Sequence, residues 1–301
     1  MNRREFIGLA AAAPFGLRAA LQAPVVQALV TCDSQSRLAV VDVSSFRVVD
    51  TIATLPDPRA IELVGRRAVV CHTAVGAVSV VEGGRMTHVV RGFVEPRYVA
   101  AHPDGRHAFV TDSGRSGVSA IDLVHGRVVA RVRLPGWARH IAIDAHARRL
   151  SVGLGSADPR VAIVGVEGLR HLSTLEPGFR THDVGYAPDG TLWISSGDAG
   201  TLAVGRARLD ADAAPQHVTF GAGRAFVTSG DAGTLHVQGL DGEVVRRTRV
   251  PVGSYNVQYG AGRVITPSLA SGTLAVLDRR GAPLAVVHVA DSCHDACFAP
   301  R

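Results

Sequence analysis

The chain has 301 residues, of which 47% are hydrophobic, and carries a formal net charge of +6. That is enough apolar material to bury a large core within one domain. Every one of the 32 basic residues is arginine, and the arginines form no run interleaved with aromatics, which argues against nucleic-acid binding and for a mildly basic, solvated surface.

At the N-terminus, Asn2-Arg3-Arg4-Glu5-Phe6-Ile7 precedes the short apolar stretch Gly8 to Ala13, with Arg18 beyond it. This resembles a twin-arginine export signal. The apolar stretch is too short to span a bilayer, so residues 1–23 are expected to be removed, and 24–301 to form the mature domain with no membrane span. The resemblance implies export of an already folded protein to the periplasm or the medium.

After residue 25 a unit of four short strands recurs. Ala108 to His140 shows it best: a strand, a Ser/Gly turn, a strand ending in Ile-Asp, a Gly-Arg turn and a third strand. The segments opening each innermost strand begin at Arg59, Arg97, Arg139, His182, Gln216, Tyr255 and His294. Their spacing of about 40 residues is that of β-propeller blades. The fold class is all-β, a seven-bladed β-propeller of four-stranded antiparallel blades. Gln27 to Asp33 and Leu38 to Val43 match the second and third strands of a blade, and His294 to Pro300 matches only a first strand. One blade is therefore shared, the C-terminal strand joining the N-terminal strands and leaving no open edge. The Ala- and Asp-rich stretch Arg206 to Pro215 predicts a stunted outer strand in the shortest unit.

Phe109-Val110-Thr111-Asp112-Ser113-Gly114, with Gly117 to Asp122 and Ala101 to Arg106, is similar to the YVTN-repeat β-propeller family, which includes YncE-like proteins. The resemblance covers nearly all of the mature chain. It implies the fold and leaves the activity open, because propellers host unrelated functions. Cys293-His294-Asp295-Ala296-Cys297 lacks the order and spacing of a c-type haem attachment site.

In a propeller the start of each innermost strand rings one channel mouth. Candidate ligand-binding residues are accordingly Arg59, Arg97, Tyr98, Arg139, His140, His182, Asp183, His217, Tyr255, Asn256, His294 and Asp295. Three arginines suit a carboxylate or phosphate, while the His-Asp pairs suit a divalent metal or a general base. A metal would draw on His182 and His294 with Asp295 or Asp183, with His140 and His217 as additional ligands. Adjacent residues of a strand face opposite ways, so His182 and Asp183 cannot share an ion without a bulge. The alternative role of the His-Asp pairs is to tie one blade to the next.

Repeat alignment brings Cys32 beside Cys293, predicting a disulfide across the shared blade, with Cys71 and Cys297 as buried thiols. A thiolate metal site drawing on Cys32, Cys71, Cys293 and His72 or His294 is the competing arrangement. These features predict an exported, monomeric binding module that takes an anionic small molecule or a partner peptide at the channel mouth. Two other readings stay open: a metal-dependent hydrolase of lactonase type, and an accessory protein to an exported redox system. The sequence identifies no cofactor, and a divalent metal ion is the one it could accommodate.

Overall fold

The computed structural model describes residues 26–155, 158–214 and 216–299, so the export signal expected at 1–23 lies outside the described residues. Seven antiparallel sheets of four strands surround a channel. In blade 3, for example, Pro96–Ala101 lines the channel, and His107–Asp112, Gly117–Asp122 and Arg127–Arg133 follow outward. Blade 1 is the composite one. The strand Ala296–Phe298 pairs antiparallel with Gln27–Cys32 in the register Ala28 to Phe298, Leu29 to Cys297 and Val30 to Ala296, and Arg37–Asp42 and Arg47–Ala53 complete the sheet.

The burial of each strand follows from its place in the blade. Middle strands touch neighbouring blades on both faces and are buried along their length: every residue of Gly117–Asp122 is buried. The outer strand Arg127–Arg133 alternates between exposed and half-buried positions, as a one-sided strand should. The core is therefore a series of layers between blades. One of them packs Ala28, Val30 and Val41 of blade 1 and Ala296 of its closing strand against Ile265, Leu274 and Val276 of blade 7. The shortest outer strand is Ala207–Asp210 in blade 5, with four residues against seven in blade 3, the stunting expected there.

In five of the seven blades the turn before the third strand ends in a left-handed backbone step, at Ser36, Gly76, Ser116, Gly233 and Gly272. At Gly272 only glycine fits, because a Cβ would stand 1.7 Å from the carbonyl oxygen of Ala290.

A hydroxyl on the second strand joins blades near the channel. The innermost strands of blades 2, 3 and 5 open with a bulge, between Pro58 and Ile61, Pro96 and Val99, and Thr181 and Val184. A bulge removes an N–H from the ladder, and that group needs another partner. In blade 5, Ser195 Oγ accepts from Asp183 N–H at 3.0 Å and donates to the carbonyl of Gln216 in blade 6 at 2.6 Å. In blade 1, Thr31 Oγ1 accepts from Asp295 N–H at 2.9 Å and donates to the carbonyl of Arg59 in blade 2 at 2.9 Å. Thr111 accepts from Tyr98 N–H at 3.0 Å, and Thr228 donates to the Tyr255 carbonyl of blade 7.

All four cysteines are buried free thiols, so the expected Cys32–Cys293 disulfide is not formed in the structure. The two are nevertheless neighbours. A thiol hydrogen bond from Cys293 holds Cys32 below the ordinary thiol range and pushes Cys293 up. Cys71 packs in the core between blades 2 and 3, while Cys32 and Cys293 pack between blades 7 and 1, so these thiols do not gather into a metal site. His72 is also committed, its ring nitrogens bonding the Pro56 carbonyl and Ser79 Oγ at 3.1 and 2.8 Å.

Thr31→Val keeps the shape of the side chain but strands the Arg59 carbonyl and the Asp295 N–H in the interior. The variant should lose about 1–3 kcal/mol of stability, read as a lower urea midpoint with an unchanged slope.

Candidate functional site

The channel holds two chambers. The mouth cavity, about 190 Å³, is lined by Tyr98, Arg139, His182, His217, Tyr255, Asn256, Leu269 and His294. Further in, a cavity of about 270 Å³ meets Glu62, His140, Asp183, Asp295 and Gln258, with Tyr98, His217 and Asn256 on the wall of both. The structure thus brings ten of the twelve candidate residues to the channel cavities and leaves Arg59 and Arg97 off both linings.

Those two arginines are turned toward partners two residues upstream. Arg59 pairs with Asp57 at 3.6 Å and Arg97 with Glu95 at 3.5 Å. Trp137 holds the corresponding place before Arg139, and it is 66% exposed. Among the described residues no carboxylate pairs with Arg139, and its buried Nε makes no hydrogen bond.

The two aspartates serve the frame. Asp183 accepts from the N–H of Val184 and, across the junction, from that of Val218 in blade 6, at 2.8 and 2.9 Å. Asp295 accepts from Ala296 and from Ile61 in blade 2, at 2.8 and 3.0 Å. Both carboxylates tie blades together. The bulge between Thr181 and Val184 lets His182 turn into the channel while Asp183 turns to the neighbouring backbone.

The histidines converge. His140, His182 and His217 come from blades 4, 5 and 6, with ring centroids 4.5 to 4.8 Å apart. Nε2 of His182 and Nε2 of His217 are 2.9 Å apart, and Tyr98 packs on His140 at 3.8 Å between centroids. His294 stays at the mouth with its Nδ1 unpartnered. Burial, then the charge of Arg139, holds His182 down at about 3. Burial with Arg59, Arg139 and Arg97 does the same for His294, also to about 3. His140 and His217 lie well below the usual imidazole range, again chiefly through burial. Burial pushes the carboxylic acids the other way, Glu62 and Asp183 to about 7 and Asp295 well above the ordinary range. Buried Tyr98 is pushed up to about 12.

Glu62 and Gln258 are site residues that the ring alignment does not single out. They bond each other at 3.2 Å from blades 2 and 7, past the closing strand. Both stand three places beyond a ring position, after Arg59 and Tyr255, and that shared offset was the available signal.

No family model matches the chain, and no curated protein matches it. Among solved structures it is similar to a functionally unknown protein from Desulfotomaculum acetoxidans DSM 771, at 12% identity and a TM-score of 0.76, covering 91% of this chain and 98% of that one. It is also similar to Kuenenia stuttgartiensis hydrazine synthase, at 14% identity and a TM-score of 0.66, covering 79% of this chain and 88% of that one. At these identities the likeness shows the fold alone, a seven-bladed β-propeller.

The buried acids and imidazoles oppose each other in their effect on stability. A carboxylic acid whose folded pKa is raised stabilises at low pH and loses that contribution as pH rises toward about 7. A histidine whose folded pKa is lowered does the reverse, losing its contribution as pH falls below the ordinary value of 6.5. Glu62→Gln removes one acid. Relative to the wild type the variant should gain stability between pH 5 and pH 8, by about 1–3 kcal/mol, as measured by urea unfolding at the two pH values.

Proposed function

We propose that the protein is an exported binding module that takes a small anionic molecule at the channel mouth. The observation that carries this reading is Arg139. It is the ring arginine on the wall of the mouth cavity, it has no carboxylate partner among the described residues, and Trp137 replaces the acid that its counterparts have. The lining around it adds no ionised carboxylate. Tyr98 and the neutral imidazole of His294 can donate beside the guanidinium, a set suited to a carboxylate or phosphate in a space too small for a folded partner.

Citrate or phosphate should raise the melting temperature of the wild-type protein in a saturable way, because a ligand that binds only the folded state stabilises it. Arg139→Gln should abolish the shift, and Arg59→Gln and Arg97→Gln should retain most of it. Absence of any shift with phosphate and with mono-, di- and tricarboxylates in the wild type would overturn the reading.

Membership of the YVTN-repeat group is supported by the Val-Thr step of Phe109 to Gly114, which recurs at Val30-Thr31 and Val227-Thr228, where the hydroxyl makes the junction bond. Export rests on Arg3-Arg4 before Phe6-Ile7. Changing both arginines to Lys should hold the folded precursor in the cytoplasm, as seen by fractionation. In an oxidising compartment the neighbouring thiols of Cys32 and Cys293 can be joined. Mild oxidation of the folded protein should therefore link this pair and leave Cys71 and Cys297 reduced, a pattern that non-reducing peptide mapping reads directly.

A further inference from the structure

We propose that His140, His182 and His217 form a binding site for a divalent transition-metal ion, of the zinc, cobalt or nickel kind, at the throat of the channel. This goes beyond the anion reading and stands on other atoms. The three rings come from successive blades, and one ligating nitrogen of each lies within 4.8 Å of those of the other two. His140 is 2% exposed, yet neither of its ring nitrogens has a hydrogen-bond partner. A buried polar group without a partner is costly and calls for an explanation such as an ion. The hydrogen bond between His182 and His217 satisfies one nitrogen on each of those rings and nothing on His140. One metal ion would engage all three.

The donor set selects the ion. Three imidazoles without a carboxylate suit borderline transition metals over magnesium or calcium, and three protein ligands leave one position of a tetrahedron open. Zinc–nitrogen bonds of about 2.0–2.1 Å place tetrahedral ligands about 3.3 Å apart. His182 and His217 must therefore open by a few tenths of an ångström from 2.9 Å. His140 has no hydrogen bond to give up in turning. Burial holds all three imidazoles below their ordinary range, which favours the neutral form that a metal ligand needs.

Arg139 lines the same cavity as His182 and His217 and opposes a second cation. In favour of the ion is position: Asp183 Oδ2 stands 3.6 Å from Nδ1 of His217, beyond hydrogen-bond reach but on the side of the ring where metal-binding histidines usually find an orienting acceptor. Of the metal set that the sequence favours, His182 and the two additional histidines His140 and His217 meet in this cluster, and His294 and Asp295 do not join it. Asp295 is held by two backbone N–H groups, and His294 lies at the mouth, outside the cluster. A second His-Asp-His group, His102, Asp104 and His107, sits on a hairpin turn where the Asp104 carboxylate accepts from the backbone of Arg106 and His107; it serves as a control.

The full chain, stripped with a chelator and dialysed into citrate-free buffer, is titrated with Co(II) and read by visible absorption, then with Zn(II) by calorimetry. One equivalent of Co(II) per chain with the intense bands of tetrahedral coordination, displaced by Zn(II), is expected. His140→Ala, His182→Gln and His217→Gln should each weaken binding by about a hundredfold or more, exceeding the 10–100-fold typical of outer-shell changes. His102→Ala should leave it unchanged. Arg139→Gln should tighten metal binding while abolishing the citrate shift, so the two proposals fail separately. Absence of stoichiometric binding, octahedral Co(II) bands alone, loss of binding in His102→Ala or full binding in His140→Ala would each overturn the site. Should a histidine variant fail to fold by circular dichroism, nitrogen-15 spectra of the wild-type imidazoles decide: Zn(II) must shift the rings of His140, His182 and His217, and shifts confined to other histidines refute it.

Discussion

The channel depends on one small arrangement, a hydroxyl placed where an innermost strand leaves its ladder. Bulges free an N–H near the channel, and Ser195 or Thr111 takes it up. Where the same hydroxyl donates to the next blade, as Ser195 does to Gln216, the bond that repairs one strand also positions its neighbour. The chemistry of the mouth is built on this backbone. Thr31 bridges the residues that open blades 1 and 2, Asp295 and Arg59, and Thr228 holds the carbonyl of Tyr255. In blades 2, 4 and 7 the same strand position carries Cys71, Gly153 and Pro267, none of which can make this bond, and in blade 4 the main chain closes on itself through Gly153 and His140.

Enclosure makes the site electrically unusual. Histidines and carboxylic acids crowd a space of a few hundred cubic ångströms, and burial drives both toward their neutral forms. The arginine charge at the mouth reinforces the neutrality of the imidazoles. The result is a channel with a fixed cation at its entrance and neutral donors and acceptors beneath. On the proposed reading, charge at one end and hydrogen bonds or coordination at the other would recognise the ligand.

The blades were legible in the sequence because the strand-and-turn unit recurs about every 40 residues, with a Val-Thr or Ile-Ser step in four of the seven, and because His294 to Pro300 could be aligned only as a missing first strand. The ring positions followed from that alignment. What alignment could not supply was direction. Asp183 and His182 look alike as ring residues, yet a bulge sends one into the neighbouring blade and the other into the channel. The pairing of Arg59 with Asp57 and of Arg97 with Glu95 was written in the sequence two residues upstream, and so was its absence at Trp137. Glu62 and Gln258 were hidden because their importance comes from facing each other past a third blade.

The three-residue strand Ala296–Phe298 carries a consequence for the order of events in folding. The contact between Thr31 and Asp295 joins groups 264 positions apart, whereas the strands Gln27–Cys32 and Arg37–Asp42 that it completes are neighbours in the chain. Contacts this distant in the chain form slowly, because the whole intervening loop must first be organised. Until the closing strand is in place Gln27–Cys32 keeps an unpaired edge, and the bonds that Thr31 makes to Asp295 cannot form. A ring locked by its final few residues has a natural checkpoint: a chain truncated or stalled near its end lacks the piece that makes the rest of it a channel.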